Sequence, residues 1–290
     1  MLPTMKAKPT IAIVGAGNFG TALAVSLRSA GYTLSEIISR KGKPSRQRAR
    51  ALARIVDARA TTLHNPKITA DVVWLCVPDR DIGPCARILA KTPSWKKKIV
   101  LHSSGALSSD EIAVLRDGGA SIASAHPLMT FVPRVTPSLV NVSFAVEGDV
   151  GAVRVVRGLV ASLGAWSFPI KKQDKAAYHA WGTFASPLLT ALLAISERVA
   201  EAAGVNRAQT RRRMLPIVRQ TVENYATQGA ARGFSGPIVR GDVETVAKHL
   251  EILRRVPGAL AVYQALALAA LRTLPVKNRE RLEKVLASGR

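Results

Sequence analysis

The chain has 290 residues, enough for two domains with cores of their own. Hydrophobic residues make up 48% and charged residues 21%, a composition that excludes an intrinsically disordered chain. Lys and Arg number 42 against 19 Asp and Glu, and the resulting net charge of +23 favours an anionic partner.

The positive excess is spread over both halves, with local concentrations at residues 40–59 and at Arg211-Arg212-Arg213. A dispersed excess fits an anionic small ligand better than a dedicated nucleic-acid surface, so nucleic acid is not the expected main partner. No apolar run reaches the roughly 18 residues that a membrane span needs. The N-terminus lacks the apolar stretch of a signal peptide, and the expected location is cytoplasmic. Cys76 and Cys85 form no CxxC pair, and the five histidines show no HxH or HExxH spacing, so no metal site is expected.

In chain order, Thr10 to Val14 is a short apolar run ending at a glycine turn, the pattern of a buried parallel strand. A helix follows over 18–30, closed by Gly31. Strands are predicted at 34–39, 71–77, 98–103 and 121–125, with helices at 45–56, 81–90 and 108–117 between them. Ser108 and Glu111 have the spacing of a capping box. Strand-like runs at 142–146 and 166–170 flank a helix at 149–163. Strands alternating with helices imply a doubly wound, mostly parallel α/β sheet of the Rossmann type. After Ile170 the pattern is helical only: a long helix over 173–203 with Pro187 as a kink, then helices at 207–228, 243–255, 257–273 and 277–287. The expected domains are therefore 1–170, α/β, and 171–290, all-α.

Gly15-Ala16-Gly17-Asn18-Phe19-Gly20 is a GxGxxG turn between the first strand and the first helix, the context in which such a turn binds a dinucleotide. Gly15 allows the tight turn, Gly17 a close approach of the pyrophosphate, and Gly20 close packing of helix on strand. The free N–H groups of 18–20 and the helix dipole supply the positive end. About 20 residues on, an acid would accept hydrogen bonds from the ribose of NAD. This chain has Ser39 and Arg40 there, with Lys41, Lys43 and Arg46 nearby. A guanidinium suits a 2′-phosphate, so the expected cofactor is NADP. Val77-Pro78-Asp79 and Ser103-Ser104-Gly105 follow strand ends and are expected to line the same crevice. Asp79 suits helix capping as well.

The segments VPDRDI (77–82), LHSSGAL (101–107), AHPLMTF (125–131), KAAYHAWGTFAS (175–186) and GPIVRGDVETVAKHL (236–250) together resemble a family of Rossmann-like proteins with a C-terminal domain of unknown function. That family is grouped with NADP-dependent oxidoreductases of the 6-phosphogluconate dehydrogenase, pyrroline-5-carboxylate reductase and ketopantoate reductase type. The resemblance spans nearly the whole chain. It implies an all-helical second domain of the 6-phosphogluconate dehydrogenase C-terminal type, often used for dimerisation. The chain departs from it at Pro187, where the family usually carries an Asn.

Related dehydrogenases place a Lys and, four residues later, an Asn on the first long helix of the second domain, and by position Lys175 and His179 look like that pair. Spacing of four puts both on one helix face. An ammonium stabilises an oxyanion and an imidazolium donates a proton, so both suit the charge left on a heteroatom by hydride addition. His126, Ser104 and Arg240 are further candidates, Arg240 for an acidic substrate, while Ser103 is a nicotinamide or substrate contact. Asp242 reads as a helix N-cap and His102 as structural. Ala259 to Leu271 is apolar almost all round, which predicts a homodimer through the C-terminal helices. The reading is an NADP-dependent reductase of a small, anionic carbonyl or imine compound. Its alternatives are a non-catalytic NADP-binding sensor or scaffold and a nucleic-acid-associated Rossmann protein.

Overall fold

The computed structural model describes residues 8–288 apart from 41, 65, 67, 93 and 94. Lys41, one of the basic residues after the second strand, lies outside the described residues. The chain divides into two compact units, Met1–Phe184 and Ala185–Arg290.

The first unit is built on an eight-stranded sheet. Its strands are β1 (Ile11–Val14), β2 (Leu34–Ser39), β3 (Arg59–Thr62), β4 (Val72–Leu75), β5 (Ile99–His102), β6 (Ser121–Pro127), β7 (Ser143–Gly148) and β8 (Trp166–Pro169), in the order β3-β2-β1-β4-β5-β6-β7-β8. Every pairing is parallel except β6 with β7. The helices α1 (Asn18–Ser29), α2 (Lys43–Ile55), α3 (Asp79–Leu89) and α4 (Val150–Ser162) connect these strands. Period-2 alternation explains why the sheet needs cover on both sides. In β1, Ile11 and Ile13 join one core with Leu23, Leu27 and Phe144, while Ala12 and Val14 join the other with Val73, Ile82 and Ile122. All four β1 side chains are fully buried.

Strand β3 is an addition to the sequence reading. Its RATT sequence is short and exposed, with no apolar alternation to betray it. It is fastened from inside: the buried Glu36 of β2 accepts hydrogen bonds from Arg59 at 2.7 Å and from the Thr69 hydroxyl at 2.7 Å. The segment predicted as a helix over 108–117 is a tight 3₁₀ turn, Ser109–Leu115, with Ser108 capping the Asp110 N–H. The capping box gives way to tertiary packing, since Glu111 Oε1 lies against Gly83, in the space a side chain there would fill.

The helix expected over 173–203 is interrupted. α5 (Lys175–Thr183) and α6 (Leu189–Ala202) are joined by a π-turn, Phe184–Leu188, that contains Pro187. Proline has no N–H to give the i−4 carbonyl and its ring crowds that oxygen, and a widened turn relieves both. α5 belongs to the first compact unit, ahead of the unit boundary. In the second unit follow α7 (Arg207–Gly233), α8 (Pro237–Arg240), α9 (Val243–Leu253), α10 (Ala259–Thr273) and α11 (Arg279–Ala287). Val246, Leu250, Ala267, Leu271, Leu282 and Leu286 form its main core, from α9, α10 and α11. Asp242 caps α9, its carboxylate accepting from the Thr245 N–H and hydroxyl. Among the described residues no helix is long and apolar enough to cross a membrane.

Candidate functional site

The glycine turn leaves β1 at its carboxyl end. Gly15 has φ +103° and donates its N–H to Ile38 O at 2.9 Å, and a Cβ there would stand 2.5 Å from the Cys76 carbonyl. Gly20 packs so closely that a Cβ would strike Gly15 O. At Gly17 a Cβ would meet no atom within 4 Å, so the backbone faces open space. Gly17 is also the N-cap of α1 and offers no side chain to its N–H groups. The turn thus presents uncapped donors at the positive end of a helix dipole, the local chemistry that holds a pyrophosphate.

Asn18 and Phe19 have other work. Asn18 donates its side-chain amide to Phe131 O at 3.1 Å, and the Phe19 ring packs on Phe131 (5.0 Å between centroids) and on Trp74 (6.4 Å). The buried Trp74 donates its indole N–H to Ser103 Oγ at 2.7 Å, which ties the glycine turn to the end of β5.

At the end of β2, Ser39 is buried and donates its hydroxyl to Thr61 O at 3.1 Å, so this group is turned into the sheet. Arg40 is partly exposed and forms an ion pair with Asp81, in the first turn of α3. A separate recess of about 60 Å³ is lined by residues that include Ser39, Arg46 and Arg50. Val77 is in contact range of the Gly15 position, and Pro78 is the N-cap of α3. Asp79 is therefore not a cap; its carboxylate accepts the Ser104 hydroxyl at 2.8 Å and bridges the ends of β4 and β5.

The second half of the site gathers at the ends of β5 and β6. Ser104 Oγ also accepts the N–H groups of Ala106 and Leu107, holding the turn after β5. Lys175, in the first turn of α5, is fully buried beneath that turn. Its Nζ donates to Ser104 O at 3.0 Å and to Ser124 Oγ at 2.9 Å. Burial pushes its pKa down, and the more distant Glu147 and Asp79 carboxylates counter that only in part. A lysine so placed acts as a buried positive charge under the turn rather than as a group at the surface of the site. One helical turn on, His179 is exposed, and its ring stands 5.9 Å from that of His126, at 88°. The two meet over Gly105, where a Cβ would lie 2.5 Å from His179 Cδ2 and 3.0 Å from His126 Nε2.

His126 is neutral at physiological pH: burial first, then the charges of Lys175 and His179, bring its pKa down to about 4. His102 is held the same way, at about 4, chiefly by burial. Its role is structural, since Nδ1 accepts the Ser104 N–H at 3.1 Å and Nε2 faces Ser108 O at 2.9 Å. Arg240 is exposed at the end of α8, in the second unit. Gly105 belongs to the turn expected to line the crevice, whereas Tyr178 lies in the 175–186 segment without being a candidate of its own. The signal for Tyr178 is the face that α5 buries: Lys175 and Tyr178 are its buried residues, three apart.

A sheet that reverses its winding between β1 and β4, with a GxGxxG turn at that switch point, defines a Rossmann-type nucleotide-binding fold. Residues 4–127 match a Rossmann-like domain, and residues 142–270 match a domain of unknown function, DUF2520. The chain is a Rossmann-like protein carrying that second domain. No curated protein matches its sequence. Among solved structures, it is similar to a Bacteroides fragilis protein named as an NADP oxidoreductase, with TM-score 0.75 at 18% identity, covering 90% of this chain and 97% of that one. A Thermotoga maritima protein gives TM-score 0.70 at 22% identity, covering 96% and 98%. An imine reductase from Myxococcus stipitatus, solved with NADP+, gives 0.66 at 15% identity, covering 96% and 100%. At these identities the likeness is one of fold.

Proposed function

We propose that the protein is an NADP-dependent reductase of a small, anionic carbonyl or imine compound. The observation that carries this reading is one sheet edge holding both a phosphate-ready glycine turn and a pair of imidazoles, His126 and His179, over Gly105. The residues fit the cofactor: the uncapped start of α1 and open Gly17 suit the pyrophosphate, and the guanidinium of Arg40, after β2, suits a 2′-phosphate. Bound NADPH would supply a hydride to the substrate carbon. His126, neutral, donates a hydrogen bond to the carbonyl or imine heteroatom and polarises it. His179, exposed beside it, is placed to deliver a proton to the same heteroatom. Lys175 and Ser104 hold the turn between them, and the buried charge favours a developing anion.

The structural neighbours named as imine reductase and NADP oxidoreductase support the class of reaction. The test is calorimetry with NADPH and NADH at fixed salt, followed by NADPH oxidation against a panel of keto acids and cyclic imines. NADPH should bind more tightly, and Arg40→Asp should reverse the order. Equal affinity for the two nucleotides defeats the cofactor assignment. Lys175→Ala and His126→Gln should each lower turnover about a hundredfold or more with nucleotide affinity kept.

The same proposal includes a homodimer through the second unit. α6 buries none of its residues, and α7, whose helical backbone breaks at Gly229, buries only Thr210. Leu188, Leu189, Ile217, Val222 and Tyr225 are exposed along them. Long helices with so little packing are marginal in water, and a second copy is the covering surface that suits them.

A further inference from the structure

Tyr178 sits between Lys175 and His179 on α5, buried, with its ring edge-on to three others: His126 at 5.4 Å, Phe168 at 6.0 Å and Trp181 at 6.0 Å. That packing fixes where the hydroxyl lies. It stands 2.9 Å from His126 Nδ1 and 3.3 Å from the His126 carbonyl oxygen. A phenol has one proton to give, so the two contacts are alternatives. Given to Nδ1, the proton leaves the imidazole N–H on Nε2. Given to the carbonyl, it leaves the N–H on Nδ1 and a bare lone pair on Nε2. The ring nitrogen offers the shorter contact, and Nε2 is the atom that faces Gly105 and the His179 ring.

We infer that Tyr178 is a positioning residue that donates its hydroxyl proton to His126 Nδ1 and so fixes the Nε2–H tautomer, with the N–H presented over Gly105. Burial pushes the phenol up to about 12 and, with Lys175 and His179, brings the imidazole down to about 4, so both partners are neutral at pH 7. The tyrosine therefore keeps its proton and orients the ring rather than passing the proton on. Without this bond either tautomer is open to the ring, and one of them puts a lone pair where a substrate heteroatom needs a donor. The functional consequence rests on the reductase reading above; the tautomer itself does not.

The test is nitrogen NMR of the full chain labelled with ¹⁵N-histidine, the His126 signals being those lost in His126→Gln. At pH 7 His126 should show a protonated Nε2 and a bare Nδ1. In Tyr178→Phe, which keeps the ring and its packing, the two ring nitrogens should move toward averaged shifts as both tautomers become populated. A proton on Nδ1 in the unaltered protein overturns the inference, and this arm needs no variant to fold. Unchanged His126 shifts in a folded Tyr178→Phe overturn it as well. Where turnover is found, Tyr178→Phe should lower kcat about tenfold or more with NADPH affinity unchanged. Failure of the protein to bind NADPH would defeat the reductase reading and leave the tautomer result standing.

Discussion

The two compact units bury their helices very differently. In the first, α1 and α4 lie on a sheet whose inner strands are buried on both faces, and each contributes four or five buried residues. In the second, α9, α10 and α11 share a small core, while α7 leaves Ile217, Val222 and Tyr225 between 53% and 68% exposed. The first unit builds a core on each face of its sheet and holds a candidate site. The second contains long helices that leave single apolar side chains exposed among charged ones, without cover from their own unit.

That contrast can be broken most sharply by truncating one aromatic in each unit. Phe144→Ala, at a fully buried position of β7, should cost about 3–5 kcal/mol of stability. Tyr225→Ala on α7, measured by denaturant at low protein concentration, should cost about 0.5 kcal/mol or less. Similar losses at the two sites would erase the distinction.

Acid should act through the first unit. The folded chain holds His102 at about 4, below its ordinary value of 6.5, so between those values the unfolded chain binds a proton that the folded chain refuses. Stability is then full above about pH 6.5 and falls as the pH drops toward 4, by about 3 kcal/mol from this residue alone. Urea midpoints that stay level from pH 7 to 4, or that do not flatten in His102→Gln, would contradict it.

The exposed apolar residues of α7 set the next effect. Paired charges at Ile217→Glu and Tyr225→Glu should convert a dimer into a monomer of 30.9 kDa by light scattering, at a cost to association of about 2 kcal/mol or more. An unaltered chain that is monomeric at every concentration removes the need for the experiment and the proposal with it. The smallest expected effect lies in the first unit, at Asp81. Its carboxylate pairs with Arg40, so on the proposed NADP reading it would compete with a 2′-phosphate, and Asp81→Asn should tighten NADPH several-fold while leaving NADH nearly unmoved. Weaker NADPH binding would make Asp81 a support for the arginine instead of its competitor.

Sequence made the glycine end of the site plain because its signals are local. The turn, the strand before it and the helix after it lie within about 20 residues, and Gly15 and Gly20 have a steric reason visible in the backbone. The histidine end is tertiary. His126 and Tyr178 are 52 residues apart, and Lys175 reaches Ser104 across 71. Lys175 and His179 were recognisable as a helix-face pair, but that one is buried under a turn and the other exposed follows from how α5 meets β5 and β6. The four-residue edge strand β3 was invisible because its anchor, Glu36, is a buried acid inside a strand that otherwise reads as apolar. The single long helix over 173–203 was a fair reading of its periodicity, and Pro187 marked the break without revealing that a wider turn would absorb it.

The bond from the Trp74 indole to Ser103 also gives the molecule an optical handle. Trp74 and Trp95 are shielded from solvent, whereas Trp166 and Trp181 are 66% and 55% exposed. A small aqueous quencher such as acrylamide should therefore silence the second pair first and leave a blue-shifted residual emission from the first. Trp74 touches Phe19 on the glycine-turn side and Ser103 on the other, so ordering of either segment by a bound molecule should register in that residual light, with no label added to the protein.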